Sequence, residues 1–287
     1  MIHDLFLAPF ELGFMRRALA GCIALSLAGP PLGVFLVLRR MALMSDVLQH
    51  GILPGIAAGA VLGGLSLWVM GAGGLAAGLA VALLAGWLAR ASGGREDSQF
   101  AGVYLVALAL GVALISAQRG VDLTHLLFGS VLAVDDATLL GMAGAASVAL
   151  PALAVIWRPL ILESFDPGFT AAAGGHGALY HLAFLALVVL CVVSGFVALG
   201  TLMSVGLMML PAVAARHFAA TLAGQVRAAV AVALAASVLG LLLSYHADVP
   251  AGPAIVLSAG GLWVMGLLAG PRESLLRRHA IGWRAIG

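Results

Sequence analysis

The sequence predicts an all-α integral membrane protein: one transmembrane domain over residues 1–287, eight or nine spanning helices, and a short helix along the inner face. Three observations carry this. Hydrophobic residues make up 63% of the chain and charged residues 9%, against about 25% charged in a soluble domain, and the mean hydropathy is +1.14. The apolar residues fall in charge-free runs long enough to cross a bilayer, which takes about 20 residues of helix. All 14 basic residues are arginines, and they gather where those runs end.

The spans follow in order. Ala18 to Leu38 is charge-free and makes one helix. From Met41 to Ala89 the only charge is Asp46, and the length suits two helices, with a break offered at Gly63-Gly64 or in the Gly71 to Gly74 cluster. Phe100 to Ala117 and Ala137 to Trp157 give two more. Leu182 to Ala215 is too long for one helix and divides near Gly200-Thr201; Ala228 to Ala247 and Val249 to Gly270 complete nine, plus or minus one. Arginine sets the direction, because basic residues concentrate on the cytoplasmic side. With the Arg39/Arg40 end inside, 11 of the 14 arginines fall inside; Arg16, Arg17 and Arg119 fall outside, the first two on an interfacial N-terminal helix. Two segments are neither spans nor plain loops. Arg119 to Asp136 reads as an interfacial or re-entrant helix on the outer side, and Arg158 to His176, the longest inner loop, as the site of the inner-face helix.

Several function classes drop out. A P-loop needs a lysine at the nucleotide phosphates, and the chain has none; HExxH and GxSxG are also missing. A net charge of +2 gives no nucleic-acid signal. Cys22 and Cys191 sit in apolar runs as filler, without a disulfide framework or a CxxC metal motif. The N-terminus has acids before its first arginines, unlike a cleaved leader, and is expected to be retained. No internal repeat of the inverted-transporter kind stands out.

The oddity is "ALMSDVLQHGILPGIAAGAVLGG", Ala42 to Gly64. Asp46 and His50 lie four apart, on one face of a helix, within a nearly uncharged span. An ionisable residue there costs roughly 2.5–3.5 kcal/mol and usually faces a bundle interior or a watery path. Carboxylate with neutral imidazole suits zinc or manganese; the alternative is a structural hydrogen bond. Two ligands under-coordinate a metal, and a C2 dimer would bring two pairs to one axis. Gly51, Gly55, Gly59 and Gly63 form a small-residue stripe for helix packing about 100° around from that face, and Pro54 is placed to kink the rod. Asp122 with His125, and His246 with Asp248, read as solvated groups at outer ends. His176, His181, His217 and His279 read as interfacial on the inner side, and Glu163 and Asp166 as loop charges.

"RRMALMSDVLQHGILPGIAAG" resembles the second-helix signature of permeases of zinc/manganese-type ATP-binding-cassette importers. "LLFGSVLAVDDATL", "SFDPGFTAAAG", "LMMLPAVAAR" and "DVPAGPAIVL" are similar to further blocks of that family, in order along nearly the whole chain. The resemblance implies a permease homodimer in a bacterial inner membrane, docked on an ATPase subunit and fed by an extracytoplasmic metal-binding solute protein. It implies that Asp46 and His50 lie on the metal route, for zinc, manganese or iron. It implies that the 158–176 loop couples to the ATPase through Glu163, Asp166, Pro167, Phe169 and Gly174. Such a permease is not an enzyme and holds no cofactor. Rival readings are a stand-alone metal/proton antiporter using the same pair, a membrane metalloenzyme, for which no hydrolytic motif is present, and an importer of an organic metal chelate.

Overall fold

The computed structural model describes residues 8–64, 66–92, 96–116, 134–166 and 177–272. A single 3-10 turn at Ala8–Glu11 leads into α1 (Gly13–Leu38). Then come α2 (Met44–Gly51), α3 (Leu53–Gly63), α4 (Leu67–Ser92), α5 (Glu96–Ser116), α6 (Asp136–Phe165) and α7 (Gly177–Leu199). α8 (Thr201–Ala215), α9 (Leu222–Ala247) and α10 (Ala251–Ala269) finish the bundle. There is no strand among the described residues. In a bilayer every backbone polar group must be satisfied within its own segment, which is the reason a chain of this composition folds as helices.

By length and composition, six helices can cross a membrane: α1, α4, α6, α7, α9 and α10. α5 and α8 are shorter apolar helices, and α2 with α3 forms one rod jointed at Ile52. α1 and α7 are the most enclosed. α1 carries Pro30 and Pro31 in its interior, which leaves the carbonyls of Ser26 and Leu27 without their usual ladder donors. There α9 packs against it, with Ser26 Oγ 3.2 Å from Ser237 Oγ. At Gly33 the backbone of α8 comes so close that a Cβ would collide with the Met208 carbonyl. An aromatic cluster locks α1, α6 and α7 together: Phe35 meets Trp157 edge-on at 5.0 Å and Phe184 at 6.1 Å. Cys22 and Cys191 are buried in the core. Outward faces carry Leu62, Val106 and Val155, each more than 70% exposed, a surface suited to acyl chains rather than to water.

The breaks fall where the backbone needs glycine. Gly200, at φ 88°, separates α7 from α8 as the sequence anticipates. Gly64, at φ 65°, ends α3, whereas Gly71 to Gly74 lie inside α4, where Gly73 and Gly74 belong to a packed face. One expectation is corrected. Residues 158–165 are not loop: α6 runs unbroken through Pro159 to Phe165. A 30-residue helix is about 45 Å long, more than a hydrocarbon core of about 30 Å needs. Its last turns are held by burial of Leu160 and by an ion pair of Glu163. The inner-face helix expected within 158–176 therefore has only 166–176 left to it, of which 167–176 lies outside the described residues. The outer segment at 119–133 also lies outside them.

Candidate metal site

The turn between α1 and α2 sets the site. Arg40 takes the left-handed conformation at φ 61°. The Arg40 N–H bonds the Val37 carbonyl at 3.1 Å and the Met41 N–H the Leu36 carbonyl at 2.8 Å. That is the paired closure of a Schellman motif, with arginine where glycine is usual. It turns the chain sharply into α2. On α2, Met44, Ser45, Leu48 and Gln49 are buried in the core, which turns the opposite face, with Asp46 and His50, outward. Their side chains are 59% and 31% exposed.

His50 Nδ1 lies 2.9 Å from the Asp46 backbone carbonyl and 3.7 Å from Asp46 Oδ1. A carbonyl only accepts, so in this bond Nδ1 carries the proton and Nε2 keeps its lone pair. Backbone anchoring of one ring nitrogen, leaving the other as ligand, is the usual arrangement of a metal-binding histidine. Tyr104 of α5 tilts against the imidazole at a centroid distance of 6.3 Å; nothing in its local sequence singles it out. Pro54 has no N–H to return to the His50 carbonyl, and the rod restarts as α3 one residue beyond Ile52. No cluster of three or more metal-type ligands occurs among the described residues. An apolar cavity of about 270 Å³ between α4, α6 and α7, bordered by Trp68, Met142 and Val193, is elsewhere. It has no carboxylate or imidazole to replace a cation's water.

The glycine stripe packs along α4. Gly51 faces Val81, Gly55 faces Gly73 and Ala77, and Gly59 and Gly63 face Val69. A Cβ at Gly55 or Gly73 would strike the carbonyl of the other helix. The α2–α3 rod is thus held on its glycine side by α4, and on the Asp46/His50 side α5 covers part of it while Asp46 stays exposed.

Glu163 belongs to the last turns of α6 and is only 14% exposed. It accepts from Arg39 Nη2 at 2.8 Å. Asp166 caps α6 and is exposed. Pro167, Phe169, Gly174 and His176 lie outside the described residues. His181 touches Arg39. His217 has a buried ring nitrogen with no partner, while His279 lies outside the described residues. At the other end of α6, Asp135 caps the helix by accepting the Thr138 N–H at 2.8 Å. Hydrogen bonding from the Thr138 side chain, and then from that N–H, holds its carboxyl below the usual carboxylate range. Asp136 pairs with Arg17 at 3.0 Å. His246 and Asp248 are both exposed where α9 ends, with Asp248 in the left-handed conformation. Asp122 and His125 lie outside the described residues.

Comparison with known proteins bears on this geometry. The model of the ABC 3 transport family matches residues 11–270. The manganese import system permease protein ScaB of Streptococcus gordonii is 30% identical over 279 residues, covering 97% of this chain and 99% of its own. The manganese transport system membrane protein MntC of Halalkalibacterium halodurans is 31% identical over 274 residues, covering 95% and 92%. Among solved structures, PsaBC from Streptococcus pneumoniae in complex with Fab matches with a TM-score of 0.84 and 28% identity, over 97% of this chain and 100% of that one.

Proposed function

The chain belongs to the ABC 3 transport family and is a multi-pass permease subunit of a metal-ion ATP-binding-cassette importer; we propose that its cargo is a divalent transition metal, manganese first and zinc second, passed along Asp46 and His50. ATP hydrolysis belongs to a separate ATPase subunit, so the permease makes and breaks no covalent bond. Its task is to lower the cost of moving a hydrated cation through a low-dielectric slab.

The observation that carries the reading is the His50 Nδ1 bond to the Asp46 carbonyl. It presents a neutral nitrogen donor beside an exposed carboxylate. Carboxylate and imidazole oxygen and nitrogen donors suit manganese and zinc, and the absence of thiolate or thioether argues against copper(I). ScaB and MntC both carry manganese in their names, which puts that metal first. One protomer offers two ligands; a homodimer about a two-fold axis offers two carboxylates and two imidazoles. Tyr104 keeps the ring from swinging out of register.

In this reading the rod α2–α3 and the other described helices cross the membrane nine times in alternation, with Arg39, Arg158, Arg216, Arg227 and Arg272 on the cytoplasmic side. An extracytoplasmic solute protein delivers the metal at the outer face. The ATPase docks at the inner segment around Asp166 to His176, and its cycle alternates access to the Asp46/His50 site.

The test is uptake of labelled manganese and zinc by the reconstituted permease with its ATPase and solute protein. Asp46→Asn and His50→Ala are expected to lower uptake at least about tenfold with assembly intact. Full uptake in both variants would make the pair structural. Uptake by the permease alone, driven by a proton gradient, would replace the ATP-driven reading with an antiporter.

A further inference from the structure

We propose that Arg39 is a positioning residue that ties the two helix ends flanking the inner segment directly to the helix carrying Asp46 and His50. Its guanidinium is 7% exposed and makes polar contacts with three side chains on two helices. Nη2 donates to Glu163 Oε2 at 2.8 Å and Nε to Ser164 Oγ at 2.9 Å, both on α6. Nη1 lies 2.6 Å from His181 Nδ1 on α7, and the group sits 5.3 Å from the centre of the Phe184 ring. Arginine has only donors, so His181 accepts on Nδ1 and carries its proton on Nε2. Ser164 gives its own hydroxyl proton to the Leu160 carbonyl at 2.5 Å, which leaves its oxygen free to accept from Arg39. One donor on each of the three guanidinium nitrogens is matched.

The placement is what gives the cluster a role. α6 ends and α7 begins on either side of residues 167–176, so a push on that segment moves Glu163, Ser164 and His181 first. Arg39 caps α1 and opens the five-residue joint, 39–43, that leads into α2. The joint is not slack, since two Schellman bonds and the Met44 N–H to Met41 carbonyl bond at 2.9 Å close it. Asp46 follows within the first turn of α2. Displacement of the α6 and α7 ends therefore reaches the metal-site helix through one planar, directional group, alongside the direct apolar packing of α7 on α2. Planarity and a fixed fork are properties of guanidinium that lysine lacks. Glu163, enclosed against Arg39, acts through that residue and not by touching the ATPase. This inference rests on the permease reading above and names the link between its inner segment and its metal site.

The experiment uses the whole complex in proteoliposomes, with manganese uptake and ATP hydrolysis measured on the same vesicles. Arg39→Lys and Glu163→Gln are expected to keep hydrolysis within about twofold of wild type while manganese moved per ATP falls at least about fivefold. Glu163→Asp, which keeps the charge, is expected to recover part of that ratio. Single variants strand a buried charge and can fail to fold; the double variant Arg39→Met/Glu163→Met removes both charges and restores apolar packing. It is expected to fold and hydrolyse ATP but to remain uncoupled. An unchanged manganese-to-ATP ratio across the folded variants would overturn the inference. So would a double variant that recovers full coupling, because the cluster would then be a packing element only. Absence of both ATP-driven manganese uptake and ATP-driven zinc uptake in wild type would overturn the cargo reading on which this inference rests.

Discussion

At the scale of single residues, the chemistry turns on which atom holds a proton and which atom meets solvent. His50 offers Nε2 because Nδ1 is bonded to a backbone carbonyl, and Asp46 stays reachable because the rest of α2 is buried. The two thiols show the opposite condition. Cys22 and Cys191 are 0% and 2% exposed, so a maleimide added to the folded protein is expected to modify neither, and both should react after denaturation, as read by mass spectrometry. Asp135 supplies a pH signal. Its folded carboxyl titrates below its unfolded value, so its contribution is complete above the ordinary carboxylate range and disappears as pH falls through the depressed value. Between about pH 5 and pH 3 the wild-type melting temperature should therefore fall more steeply than that of Asp135→Asn, whose amide oxygen caps without titrating. Equal slopes would remove the cap from the pH response.

At the scale of elements, close approach of backbones decides which glycines matter. Gly55 and Gly73 touch across the α3–α4 contact, and a Cβ on either meets a carbonyl. Gly55→Ala and Gly73→Ala are expected to destabilise by about 1–3 kcal/mol through overpacking, measured by thermal unfolding in detergent. Gly71, on the same helix α4, has nothing within 4 Å of a Cβ. Gly71→Ala should leave stability unchanged or raise it by up to about 1 kcal/mol, since alanine is the better helix former. If all three variants behaved alike, helix–helix approach would not be the reason for the stripe. The same element scale explains why α6 extends past Arg158: Leu160 is fully buried and Glu163 is paired, so the final turns are anchored although they lie beyond the apolar run.

At the scale of the whole molecule, arginine placement and helix alternation make one statement about sidedness. Residues 227 and 248 sit near opposite ends of α9 and both are exposed. In a background lacking Cys22 and Cys191, a membrane-impermeant thiol reagent applied to intact cells should label Asp248→Cys and spare Arg227→Cys. The reverse pattern would invert the topology. Replacing residues 167–176 by a glycine-serine linker of equal length should leave the bundle folded but abolish stimulation of the partner ATPase. Unchanged copurification and stimulation would move the docking surface elsewhere.

Much of this protein is legible along the chain because its signals are local. Charge-free runs of span length follow from the bilayer's thickness, and the Gly200 break follows from a backbone conformation that suits glycine. Asp46 and His50 share a face because four residues are close to one helical turn. The signature around that pair, with four further blocks in order along the chain, carries the resemblance to the metal-importer permeases. Other features required the fold. Arg39 and Glu163 are 124 residues apart in the chain, and no periodicity links them; read alone, Glu163 is a loop charge. Tyr104 beside His50, the choice of Gly64 over Gly71 to Gly74 as the break, and the partner of each packing glycine have the same origin. Sequence sets what each segment prefers within a few turns, through hydrophobicity and backbone sterics. Only tertiary packing decides which distant segments meet, because burying a charge or closing two backbones depends on a partner that local sequence does not contain.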